Sequence, residues 1–82
     1  MVVKEVEMSE IIQSIVACIY DRLGDDIIDH IFVYDKKEDL RVEVQAGLSQ
    51  YWFSFYKFGT NIASENPYKF AVYFADNMGI PK

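Results

Sequence analysis

Few residues in this chain are suited to catalytic chemistry. His30 is the only histidine and Cys18 the only cysteine among 82 residues. Nucleophilic catalysis needs a base held against its nucleophile. Cys18 lies in the apolar periodic run "IIQSIVACIY", whose spacing turns it toward a core, so a Cys–His pair is not expected. His30 reads instead as a partly exposed polar residue at the start of a strand. Zinc needs several Cys or His ligands, which this chain could supply only with help from carboxylates. In "DDIIDH", residues 25 to 30, Asp25, Asp26 and Asp29 offer hard oxygen ligands to calcium or magnesium. Their spacing is not that of a D-x-[DN]-x-[DN]-G loop, however, and no bidentate Glu follows at the required distance. Gly24, Gly47, Gly59 and Gly79 stand singly, so no loop cradles a phosphate. The expectation is a protein without a catalytic centre, metal or cofactor.

A second group of residues is suited to contact rather than catalysis. The stretch "YWFSFYKFG", residues 51 to 59, carries six aromatic side chains in its first eight positions. As a strand it points Tyr51, Phe53 and Phe55 one way and Trp52, Tyr56 and Phe58 the other, because side chains alternate across a sheet. The run from His30 to Tyr34 likewise sets Ile31 and Val33 against Phe32 and Tyr34. If only one sheet face meets the rest of the chain, Phe32, Tyr34, Trp52 and Tyr56 flank Arg41 on the other face. Two readings stand. The face is an ordinary amphipathic surface, with Arg41 lying over a ring and tyrosine hydroxyls in water. Alternatively it is a contact patch, since Trp, Tyr and Arg dominate interface energetics. Self-association through this face would satisfy it as well as a foreign protein would. Read as a helix, residues 49 to 58 would gather Tyr51, Trp52, Phe55 and Phe58 on one side, and the aromatic excess would remain.

Charge is unevenly placed. Residues 1 to 30 hold Glu5, Glu7, Glu10, Asp21, Asp25, Asp26 and Asp29 against Lys4 and Arg22, which accounts for the whole formal charge of -5. The remaining six acids and six bases cancel. An acidic half repels phosphate backbones and attracts basic surfaces. Asp25 and Asp26 follow a helix C-terminus, where the dipole disfavours them. Either one of them caps a short turn through Ile27 and Ile28, or the acids are kept for a cationic partner.

These residues need elements to position them. Met8, Ile11, Ile12, Ile15, Val16, Ile19 and Leu23 recur at helical spacing, with Ser9 as candidate N-cap, or Val3 and Val6 in an earlier start, and Gly24 at the C-terminal stop. Alternation predicts strands over His30 to Tyr34 and Leu40 to Ala46 around the loop "DKKED", and the aromatic stretch 51 to 58 supplies a third. Asn66 and Pro67 open a second helix, whose inner face holds Phe70, Ala71, Phe74, Ala75 and Met78 before Gly79. The expected fold is α+β, ordered α-β-β-β-α: a single domain over residues 1–82, with a three-stranded antiparallel meander and two helices packed on one face. Apolar residues make up 51% of the chain and charged residues 26%, a globular composition. No apolar run is long enough to span a bilayer, and "MVVKEVEMSE" lacks a signal peptide's basic and apolar regions. With one cysteine, this leads us to expect a reducing, cytoplasmic setting and no membrane.

This element order, at this length, resembles the double-stranded-RNA-binding domain in topology. That family grips RNA through bases at the start of its second helix and in an inter-strand loop. Here "NPYKF" offers Lys69 alone, and Lys36 and Lys37 are offset by Asp35, Glu38 and Asp39. No binding residue carries over, and RNA affinity is not expected. The general character is that of inhibitors from phages and mobile elements, immunity proteins and antitoxins: compact, acidic, aromatic and without catalytic groups. The expected function is binding and blocking a protein partner with a basic surface, steered by Glu7, Glu10, Asp21, Asp25, Asp26 and Asp29. Phe32, Tyr34, Arg41, Trp52 and Tyr56 would hold it. A homo-oligomer or small subunit burying the aromatic face is the alternative, and a weak nucleic-acid binder of double-stranded-RNA-binding-domain-like topology is a further one.

Overall fold

A computed structural model describes residues 8–57 and 66–82. It contains α1 (Met8–Leu23), β1 (His30–Asp35), β2 (Asp39–Ala46), β3 (Ser49–Tyr56) and α2 (Pro67–Met78). The fold is α+β in the order α-β-β-β-α, and the sheet is an antiparallel meander ordered β1-β2-β3.

Helix α1 forms because its apolar spacing gives one continuous stripe, of which Ile11, Ile15, Cys18 and Ile19 are buried. It ends where Gly24, at φ 84, donates its N–H to the Tyr20 carbonyl. Ser9 lies within the described helix and is not its N-cap. The earlier start through Val3 and Val6 falls outside the described residues. Helix α2 is closed at both ends by its own sequence. The Asn66 carboxamide oxygen accepts from the Tyr68 N–H at 2.8 Å, Pro67 fills the first turn where no N–H is needed, and Gly79 is left-handed at φ 83.

The strands run slightly differently from the expectation. β3 spans Ser49 to Tyr56, so it begins two residues before Tyr51; its expected last residue, Phe58, and Gly59 lie outside the described residues. The early start follows from a two-residue hairpin at Gly47 and Leu48. Gly47, at φ 62, stands at the first central position, as a type II′ turn requires, and Ala46 pairs directly with Ser49.

The core lies between the helices and one sheet face. Ile11, Ile15 and Ile19 of α1, Leu40, Val42 and Val44 of β2, and Phe70 and Phe74 of α2 pack as one cluster. Phe53 meets Phe74 edge-on with centroids 4.9 Å apart, and Phe55 meets Phe70 likewise at 4.8 Å. Thus Tyr51, Phe53 and Phe55 belong to the core side. Along the edge the cover thins: Val33 points to the same side but is 37% exposed, and Asp35 beyond it is exposed.

Candidate functional site

The outer face of the sheet is set by register. Phe32, Glu43 and Trp52 form one row across the three strands, Tyr34, Arg41 and Ser54 the next, and His30, Gln45 and Gln50 a third. The row neighbours have close side chains because directly opposed residues share a face. Phe32 is 46% exposed, Tyr34 41%, Trp52 53% and Tyr56 61%. None of these is covered by the helices, which pack on the opposite side.

Arg41 organises the centre. Its guanidinium carbon lies 4.3 Å from the Trp52 ring centroid, while Nη2 donates to Glu43 Oε1 at 3.0 Å and Nε donates to the same oxygen at 3.3 Å. The cation is thus held over the indole by its own strand neighbour, which orients Trp52 and neutralises charge at the middle of the patch. Ser54 donates to Asp39 at 3.3 Å, and the His30 and Phe32 rings lie 5.4 Å apart. The result is a surface of exposed rings around one anchored cation, suited to holding another surface by contact. Tyr20, Tyr68 and Tyr73 are exposed too, but on the helices.

The acids are dispersed over a helix and a turn. Glu10 lies in the first turn of α1 and Asp21 near its end, roughly 16 Å along the axis at 1.5 Å per residue. Asp25 and Asp26 occupy the turn after Gly24, which is closed by the Ile27 N–H donating to the Gly24 carbonyl rather than by either side chain. Asp29 accepts from the Gly47 N–H at 2.9 Å, which ties this turn to the β2–β3 hairpin. Asp21, Asp25, Asp26 and Asp29 therefore crowd one end of the molecule, with Glu10 at the other end of α1. Glu7 lies outside the described residues. Arg22 contributes little opposing charge at the crowded end, because it pairs with Asp76 at 2.8 Å; that hydrogen bond holds its guanidinium pKa above the ordinary value.

Two residues at this end escaped the sequence reading. Leu48 is fully exposed at the tip of the hairpin, and Ile27 is 52% exposed in the acidic turn. The Gly47 turn chemistry could have placed Leu48 at a hairpin tip, whereas nothing in the local pattern marks Ile27 as exposed.

Cys18 is buried beneath the helices while His30 lies on the outer sheet face, so the two are on opposite sides of the sheet. Among the described residues, no three His, Cys, Asp or Glu side chains gather as metal ligands, and no helix is long and apolar enough to cross a membrane. Lys69 in the first turn of α2 and Lys36 and Lys37 in the β1–β2 loop are exposed, and Lys57 binds Asp35 beside that loop. Comparison with protein-family models, curated proteins and solved structures finds no match.

Proposed function

We propose that this protein binds and blocks another protein, holding it with the outer sheet face and steering it with the acidic end. The observation that supports this most is the face that no described residue covers, where Trp52, Phe32, Tyr34 and Tyr56 surround an Arg41 held over the indole. Aromatic and arginine side chains held rigidly lose little entropy on docking and form the usual centres of binding energy. The charge of -5 favours a partner with a basic surface. The action is that of an inhibitor or immunity-type protein, occupying a partner's working surface without chemistry of its own.

Steering and holding separate by mutation. Asp25→Asn combined with Asp26→Asn should lower the association rate several-fold at low salt and flatten its salt dependence, leaving the dissociation rate near that of the parent. Stopped-flow mixing at several ionic strengths reads both. Unchanged association would remove the acidic end from the account. Nucleic acid is the opposing ligand: bases could stack on Trp52 and Tyr56, but the negative charge works against the phosphates. Duplex RNA should therefore migrate freely past the protein in a native gel at physiological salt, and retention there would reverse the choice of ligand class.

A further inference from the structure

We propose that two copies of this chain pair through their β1 edges, joining the sheets into a continuous six-stranded sheet with all four helices on one side. The Lys36 N–H donates to the Asp39 carbonyl at 2.9 Å, and the β1–β2 register steps back from that pair in twos. His30, Phe32 and Tyr34 therefore exchange main-chain bonds with β2, while the N–H and C=O groups of Ile31, Val33 and Asp35 point away from the sheet. Among the described residues, no strand lies beyond β1.

Among the described residues the edge is open, and it is apolar. Natural edge strands are usually blunted by Lys, Pro or a bulge along their length. Here Ile31 to Tyr34 carries none of these, and Val33 is exposed on the helical side while Phe32 and Tyr34 are exposed on the other. The charged residue nearest the centre, Asp35, is already neutralised by Lys57.

What identifies the occupant as a second copy is self-complementarity. An antiparallel pair with its two-fold axis at Val33 keeps like faces together, because every pairing then joins residues of the same parity. It sets Val33 against its counterpart, Ile31 against Asp35 of the second copy, and Phe32 against Tyr34 of the second copy. About six main-chain hydrogen bonds form, and the aromatic pairs fall at non-hydrogen-bonded positions, where side chains approach most closely. The same register brings Lys36 and Lys37 of each copy to the Asp29 and His30 end of the other, at both ends of the pair. Across residues 29 to 37, Asp29 and Asp35 face Lys36 and Lys37, and Lys57 pairs with Asp35, so this edge carries no net negative charge in a chain whose total is -5. A second acidic copy can approach here without the repulsion it meets elsewhere.

Sedimentation equilibrium over a roughly hundredfold concentration range, paired with amide hydrogen exchange, tests this. The mass should rise from monomer to dimer, and the Ile31, Val33 and Asp35 amides should become protected only where the dimer is populated. Val33→Lys places two ammonium groups at the axis and should weaken the dimer by at least about tenfold. Should Val33→Lys not fold, Lys36→Glu with Lys37→Glu, both in an exposed loop, should weaken it through the ends. Trp52→Ala, two strands from the edge, should dimerise as the parent does. A parent that stays monomeric overturns the proposal. So does a dimer that survives the edge substitutions, dissolves in Trp52→Ala or leaves the three amides unprotected.

Discussion

Phe74→Ala should remove about 3 to 5 kcal/mol of stability, the cost of emptying a fully buried aromatic site. Phe74 is the largest side chain with no exposed surface, and it meets Phe53 edge-on at 4.9 Å and Phe70 at 6.1 Å. Its loss therefore leaves a cavity and weakens the α2–β3 contact, which Phe70 against Phe55 continues to hold in part. A chain of this length has on the order of 4 to 12 kcal/mol in total. The substitution should thus remove about a quarter or more of that stability and lower the midpoint of thermal unfolding by about 12 to 40 °C. Tyr73→Ala, one residue away and half exposed, removes only edge contacts to Phe53 at 6.3 Å and Phe70 at 6.1 Å, and as the control should cost less, about 1 to 2 kcal/mol. Urea unfolding of the three proteins decides the point. Equal losses in the two variants would mean that the helix–sheet interface is not where the core lies.

Trp52→Ala should have the opposite profile, with a small effect on folding and a large one on partner binding. The ring is half exposed, its main intramolecular contact is the Arg41 guanidinium, and exposed cation–π pairs are worth about 0.5 to 1 kcal/mol. Buried at the centre of an interface, the same side chain is worth about 2 kcal/mol or more, a loss of roughly thirtyfold in affinity, expressed mainly in the dissociation rate. Removing Trp52 also frees Arg41 from its platform, so part of the loss is preorganisation. Circular dichroism establishes the fold, and surface-immobilised kinetics with a captured partner give the rates. Unfolding of Trp52→Ala would make Trp52 a structural residue and move the binding surface elsewhere.

The contrast between these two positions was legible in the sequence wherever one face of an element is dry and the other wet. In β2, Leu40, Val42 and Val44 alternate with Arg41 and Glu43, and a slip of one residue would bury charge, so pattern and structure have to agree. The two caps of α2 were equally plain, because Asn66, Pro67 and Gly79 each meet a local backbone need. The aromatic stretch could be divided by parity alone into core-facing Phe53 and Phe55 and outward Trp52 and Tyr56. β1 could not be read this way. Its residues are apolar on both faces, and how far the helices extend sideways over a sheet is a tertiary outcome that alternation does not encode, so the exposure of Val33 emerged only in three dimensions. The same holds for the link between Asp29 and Gly47, which joins two loops 18 residues apart. The cation over Trp52 required register: Arg41 stands opposite Ser54, and only the diagonal places it on the indole.

The most direct measurement is affinity capture from lysate by the folded parent and by folded Trp52→Ala, in parallel at low and high salt, with bound proteins quantified by mass spectrometry. A saturable protein partner with a basic surface should be retained by the parent and depleted at least about tenfold by Trp52→Ala. Equal retention by both proteins, or a parent that captures nothing under either condition, would contradict the claim that the outer sheet face exists to hold another protein.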